Sequence, residues 1–349
     1  MIHIYFTACS ENGGIYHYTF SHGYLRFCES LTLDMPMYTL IKNRTAYILL
    51  RDMKRDDGYG GLVTCNISQT GKMTDLSYVR STHGIVPCHL CVTDNVIYIV
   101  NYLSGNIVKI PDTVINHYGK GINPERQEAP HTHFISESPD GKFILSTDLG
   151  LDTVFVYDKD LNEVSHASVP DGSGCRHLCF GENGRYVYCV NELSSDVSVF
   201  SFKDGIISYI KSFKAIPDYS GKSTAAAIRL NNGFLYVSHR GADCISRFKT
   251  DGENLVLIEN TPCGGKSPRD FDIIDNHIFC ANEGGTIGII KLTDSKPILA
   301  DSFKLAGNPL CVSFYIIIAQ NAINTQKTFS QPNLSAINPS PYELIALPK

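Results

Sequence analysis

The sequence predicts an all-β chain, a seven-bladed β-propeller closed by a C-terminal strand that joins the N-terminal blade. Three observations carry that prediction. Short runs rich in β-branched and aromatic residues, each ending on a small or polar residue, recur at spacings of 43 to 50 residues, the period of a blade built from short strands. A second strand-like run precedes each of these except the first, and the missing one appears at the far end of the chain. No long segment repeats apolar residues every 3.6 positions, so helices are not expected.

Taken in order, the recurring runs are Ile4–Ala8, Ala46–Arg51, Val96–Asn101, Phe143–Asp148, Tyr186–Asn191, Phe234–His239 and His277–Asn282, one for each of seven blades. Their companions are Met37–Ile41, Cys88–Val92, His131–Ile135, Arg176–Phe180, Thr224–Ile228 and Arg269–Ile273. Several pairs are joined through Asp140-Gly141, Asn183-Gly184 or Asn232-Gly233, dipeptides that favour tight hairpins. The first run lies too near the N-terminus to have a companion. Pro309–Phe314 supplies one from the other end, which closes the ring and leaves no open edge between first and last blades. The propeller domain is thus expected over residues 1–314. Residues 315–349, rich in Asn, Ser, Pro and Gln, are expected to form a loosely ordered tail whose first residues can extend the closing strand.

With 349 residues, a net charge of −5, 43% hydrophobic and 19% charged residues, the composition is that of an ordinary soluble chain rather than a disordered one. No basic excess exists to neutralise phosphates, so no nucleic-acid partner is expected. No run of about 18 apolar residues occurs, so no membrane partner is expected either. The N-terminus enters strand-like sequence at once, without the pattern of a secretory signal, which implies a cytoplasmic location. Twelve scattered cysteines read as reduced, buried thiols. The C-x-x-C of Cys88 and Cys91 lies in a strand-like run, where residues three apart face opposite ways, and no second pair follows at finger spacing, so no metal is expected. A closed ring has no obligatory partner, and a monomer is the default.

Polar groups on the innermost strands of a propeller line its channel or the channel mouth, and charged residues that recur at one place in the repeat are the candidates for chemistry. His133 and Arg176 each stand 15 residues before the end of the next run, and Arg269 stands 13 before, across a turn two residues shorter. Just after run ends come Glu192, Arg240 and Glu283. One imidazole, three guanidiniums and two carboxylates are therefore expected to converge on one mouth. Singly, each has a bland reading: an arginine at a strand start pairs with a neighbouring blade, Glu192 pairs with an arginine next door, and His131 with His133 are exposed strand residues or metal ligands without a visible third partner. The joint recurrence favours a shared site.

Longer stretches resemble a known family. Asn123–His133 (NPERQEAPHTH) followed by SPDGKFILSTDLGLDTVFVYD, GSGCRHLCF with YVYCVNELSSDVSVF, TAAAI with LYVSHRGADCISRF, GGKSPRDFDI, and VPCHLCV with IVNYLSGNIV are similar to the seven-bladed propeller lactonases. That family includes one type of bacterial 6-phosphogluconolactonase and the fungal carboxy-muconate lactonising cyclases. The likeness spans roughly residues 1–314 and is densest from Asn123 to Asn282. The chain departs from the family where Cys175 replaces a proline, where His239 replaces an asparagine, in a shortened turn (KNRTA), and in the tail.

The resemblance implies a cofactor-free reaction on a small-molecule lactone carrying an anionic group, at His133, Arg176, Glu192 and Arg240. Arg269 is expected to help hold the substrate, with His89, Asn101, Arg126 and Asn191 as further candidates for the same mouth. Glu192 or His133 would take a proton from attacking water, and Arg176 or Arg240 would stabilise charge on the carbonyl oxygen. An arginine grips phosphate or carboxylate bidentately. The favoured substrate is 6-phosphoglucono-1,5-lactone, opened to 6-phosphogluconate in the pentose phosphate pathway without a metal. The alternatives are a lactonase or cyclase acting on another anionic lactone such as a muconolactone, and a non-catalytic protein-binding propeller.

Overall fold

Runs in which β-branched and aromatic side chains alternate with small ones suit a pleated surface buried on both faces, and every such run is a strand. The computed structural model describes residues 1–53, 58–318 and 345–346. The chain forms seven sheets, antiparallel except where Ile345–Ala346 joins the first, with no helix among the described residues. From the axis outward, blade 2 is Pro36–Lys42, Thr45–Leu50 and Gly61–Ile67, with short outer pieces. Blade 3 is Pro87–Thr93, Val96–Asn101, Asn106–Lys109 and Thr113–Asn116. Blade 4 is Thr132–Glu137, Ile144–Asp148, Thr153–Tyr157 and Glu163–Ser168, and blade 5 is Cys175–Phe180, Tyr186–Asn191, Asp196–Lys203 and Ile206–Lys214. Blade 6 is Thr224–Asn231, Phe234–Arg240, Cys244–Thr250 and Leu255–Pro262, and blade 7 is Pro268–Ile274, His277–Asn282, Thr286–Lys291 and Ile298–Lys304.

Blade 1 takes Ile2–Cys9, Gly14–Ser21 and Tyr24–Thr32 from the N-terminus and its innermost strand, Asn308–Ile318, from the C-terminal part of the chain. The two ends pair antiparallel from Ile2 opposite Ile316 to Cys9 opposite Asn308. The boundary expected at residue 314 falls inside this strand, which runs on to Ile318 and pairs there with Ile345–Ala346. The remainder of the expected tail lies outside the described residues.

Neighbouring blades pack face to face through apolar layers. Second strands such as Ile144–Asp148 are buried throughout, whereas outermost strands such as Glu163–Ser168 are largely exposed. The layer that joins blade 7 to blade 1 holds Phe6, Phe279, Val312 and Phe314, with Phe6 edge-on to Phe303 at a centroid distance of 6.2 Å. The twelve cysteines are free thiols, and only Cys28 is exposed.

One irregularity repeats around the ring. The innermost strand of each blade slips register by one residue at the same place, next to the end of the second strand. The residues left unpaired are Leu310, Met37, Cys88, His133, Arg176 and Arg269 in blades 1, 2, 3, 4, 5 and 7, and the Ala226-Ala227 step in blade 6. A β-bulge bends its strand and re-aims the unpaired side chain, here toward one mouth of the channel.

Because Phe6 fills the closing layer, Phe6→Ala should cost about 3–5 kcal/mol through lost burial and the cavity left behind. Guanidinium unfolding of the variant should show a correspondingly lower midpoint.

Candidate active site

Short hydrogen-bonded turns aim the bulged residues and their neighbours. Asp152 of blade 4 accepts the backbone N–H groups of Gly172 at 2.7 Å and Gly174 at 2.6 Å, fixing the loop into the strand of Arg176. Gly174 has a φ of 75°, a left-handed conformation natural to glycine. Asp148 accepts the N–H of His131 at 2.8 Å, two residues before His133. The Asn123 side chain accepts the N–H groups of Glu125 and Arg126, an Asx turn that starts the loop, and buried Gln127 donates to the Leu149 carbonyl at 2.9 Å. That loop delivers Arg126 to the mouth.

The result is a cavity of about 510 Å³ whose wall includes Arg126, His133, Glu192, Arg240, Arg269 and Glu283. Arg176 lies beside it, 1% exposed. Glu192 gathers three guanidiniums. Its Oε2 accepts Arg176 Nε at 2.9 Å and Arg240 Nη2 at 2.8 Å, and its Oε1 accepts Arg126 Nη2 at 2.5 Å. Arg176 also donates to the Ala226 carbonyl at 2.6 Å, and its own carbonyl accepts the Thr147 hydroxyl at 2.6 Å, so blades 4, 5 and 6 all hold it. Next to this cluster Arg269 donates to Glu283 Oε1 at 2.9 Å, while the Ser267 hydroxyl donates to Glu283 Oε2 at 2.6 Å.

These contacts set the protonation states. Burial alone would push the Glu192 carboxyl up, but the charges of Arg240, Arg176 and Arg126 outweigh it and hold the group far below the usual carboxylate range. Burial, then Arg240 and Arg269, push Arg176 down to about 9, which leaves it cationic at neutral pH. Burial, then Arg176, hold His133 well below an ordinary histidine. Its Nδ1 is buried without a partner, and its ring meets Tyr102 edge-on at 5.5 Å. The arrangement joins a cationic surface for an anion, a neutral imidazole able to accept a proton, and guanidinium donors for a developing oxyanion.

His133, Arg176, Glu192, Arg240, Arg269 and Arg126 are thus brought together. His89, Asn101 and Asn191 are not. His89 follows the bulged Cys88 and is buried, packed against Tyr38 at 4.4 Å and Phe134 at 4.1 Å. Asn101 donates to the Thr82 carbonyl and Asn106, and Asn191 donates to Asp196 and Ser198, so both amides brace their own blades. The physical reason is strand alternation: the residue after each asparagine, Tyr102 or Glu192, is the one that reaches the cavity.

Tyr102 was legible by that rule, since it follows its run end as Glu192, Arg240 and Glu283 follow theirs. Arg51, also in the wall, follows its strand Thr45–Leu50 in the same way, whereas the bulged Met37, Cys88 and Leu310 needed the bulge pattern to be found. His131 does not join His133. It stacks on Tyr102 at 4.5 Å and meets Glu128 at 3.2 Å. Among the described residues no group of three or more His, Cys, Asp or Glu is placed to hold a metal. Cys175 is buried in the apolar layer between blades 4 and 5. His239 is also fully buried, with both ring nitrogens unpartnered, and burial pushes it down to about 3.

His89, His133, His177 and His239 are all held uncharged by burial. A histidine whose folded pKa is depressed contributes stability above its unfolded value near 6.5, and that contribution is lost as pH falls. The urea midpoint should therefore fall steadily from pH 7 to pH 5. Glu192, depressed as a carboxyl, adds a further loss below about pH 4.5. Glu192→Gln should keep the first decline and weaken the second, to which Glu283 also contributes. At pH 7 it should cost about 3–5 kcal/mol, because Arg176 is left buried without its counter-charge.

Comparison with known proteins agrees with this architecture. The family model described as seven-bladed β-propeller lactonase matches residues 3–314. An uncharacterised Staphylococcus aureus protein is 30% identical over 336 residues, covering 87% of this chain and 97% of its own. Among solved structures, a Lactobacillus plantarum protein superposes with a TM-score of 0.81 at 27% identity, over 90% of this chain and 100% of its own. A candidate 6-phosphogluconolactonase from Bacteroides uniformis does so with a TM-score of 0.80 at 25% identity, over 90% and 99%. With a match that runs from the first strand of blade 1 to the strand that closes it, the chain belongs to the seven-bladed β-propeller lactonase family.

Proposed function

We propose that this chain hydrolyses an anionic sugar lactone, 6-phosphoglucono-1,5-lactone first among them, to the open acid without a metal ion. The observation that carries the reading is the set of three guanidiniums drawn onto Glu192 beside a neutral His133 whose Nδ1 has no partner. The family supplies lactone hydrolysis as the class of reaction, and the Bacteroides uniformis relative points to the phosphosugar. On this reading the protein is a monomeric cytoplasmic enzyme of the pentose phosphate pathway.

The residues divide the work as follows. Arg269 and Arg126, both in the cavity wall, hold the anionic end of the substrate. Water attacks the lactone carbonyl, a C–O bond forms, and His133 takes the water proton. Glu192 is poorly suited to that task, since guanidiniums occupy both its oxygens and its proton affinity is low. Its charge instead favours the imidazolium that His133 becomes. Arg240, whose Nε has no partner, donates to the carbonyl oxygen as charge builds there. Arg176, wholly buried, positions Glu192. The ring C–O bond then breaks and the leaving oxygen takes the proton back from His133. A bound phosphate offsets the arginine charge that depresses His133, so substrate binding raises the basicity the first step needs.

The test is the hydrolysis rate of 6-phosphoglucono-1,5-lactone over the spontaneous rate. Wild type should be active, and EDTA should leave the rate unchanged. Glu192→Gln and Arg176→Met should each lose about a hundredfold or more in kcat/KM, and His133→Asn about 10²–10⁴-fold in kcat. Folded wild type that does not exceed the spontaneous rate would overturn the reading.

A further inference from the structure

Six of the seven bulged positions fall into two arcs around the cavity, and the Ala226-Ala227 step of blade 6 does not line it. Blades 4 and 7 place His133 and Arg269 in its wall, with Arg176 of blade 5 beside it, whereas blades 1, 2 and 3 place Leu310, Met37 and Cys88 there. The uncharged arc continues up the wall through Cys9, Met35 and Val86. Cys9, Met37 and Leu310 belong to one apolar cluster against which Met35 and Val86 pack, and the Cys9 thiol lies 3.8 Å from the Met37 thioether. The Cys88 thiol is turned onto the His133 carbonyl at 3.4 Å. Polar groups on this side are Ser10, Asn308 and Arg51, which are half-buried or exposed, and the Tyr102 hydroxyl, which already meets Arg126.

We infer that the cavity does not read hydroxyl groups on the edge of the lactone opposite its charged group, so that it takes an anionic lactone with a hydrocarbon edge there at least as well as 6-phosphoglucono-1,5-lactone. The inference rests on the proposal that the cationic arc binds the anion of a lactone. A hydroxyl pressed onto Met37 and Leu310 loses water and finds no partner, whereas a C–H edge gains by burial. Such a wall discriminates weakly for or against a hydroxyl. A site built to hydrogen-bond one rejects the analogue lacking it by about 10⁴-fold.

Two measurements on the whole protein test this. The first compares kcat/KM for 6-phosphoglucono-1,5-lactone and its 2-deoxy analogue. The second compares calorimetric binding of hexyl phosphate and glucitol 6-phosphate, which needs no turnover. The deoxy lactone should be hydrolysed at least as well as the parent, and hexyl phosphate should bind about tenfold tighter than glucitol 6-phosphate, about 1.4 kcal/mol. Met37→Gln should shrink that preference while binding inorganic phosphate as wild type does. A deoxy lactone slower by about a hundredfold, or tighter binding of glucitol 6-phosphate, overturns the inference and leaves the lactonase reading intact. Preferred binding of hexyl phosphate with neither lactone turned over supports the two-faced cavity and overturns the lactonase reading. Binding of neither phosphate overturns the inference together with the anion site it rests on.

Discussion

Three guanidiniums crowded into a site with little water repel one another, and the carboxylate of Glu192 is what makes their approach tolerable. Each of its oxygens is shared with an arginine from a different part of the ring: Arg176 from its own blade, Arg240 from the next, and Arg126 from the loop between blades 3 and 4. Such a buried cluster costs desolvation energy and is weak as a device for stability. Its value lies in the field it creates. Burial, with Arg176, which also helps to hold Glu192 ionised, holds His133 neutral, so one charge arrangement bears on both the carboxylate and the protonation state of the imidazole.

That arrangement depends in turn on a backbone irregularity. A regular inner strand would pair every residue with the second strand, and the side chains of His133, Arg176 and Arg269 would be governed by simple alternation. The bulge, repeated at one height around the ring, frees one residue per blade at the channel mouth. Because it occurs in every blade, the propeller presents a ring of independently variable positions on a common scaffold. In this chain blades 4, 5 and 7 carry His133, Arg176 and Arg269 there, blade 6 carries alanine, and blades 1, 2 and 3 carry Leu310, Met37 and Cys88, the first supplied by the closing strand. Pairing of the two chain ends therefore does more than seal the sheet, since it also places part of the cavity floor.

His89, Phe134 and His177 meet one another in tilted and edge-on ring contacts, and Tyr38 packs on His89. His89 shows how a plausible site residue becomes a packing residue through a shift of a single position. Its chemistry suits a ligand, but Cys88, one residue earlier, is the one the bulge turns outward.

The sequence by itself determined the number of blades, the strands within them and the closure of the ring, because a period near 45 residues, alternating strand runs and hairpin turns are local signals that survive without coordinates. It also determined which charged residues share a repeat position, and six of them meet at one cavity: His133, Arg176, Glu192, Arg240, Arg269 and Glu283. Only the tertiary structure decided which near-neighbours join them. Arg126 reaches Glu192 across 66 residues of chain through a loop fixed by Gln127 and Asn123, and no repeat position marks it. Asn101 and Asn191 carry the repeat signal as strongly as the arginines do, yet they turn into their own blades. The direction of a side chain at a bulge or a strand end depends on pairing register, and register is settled between strands that the sequence keeps far apart.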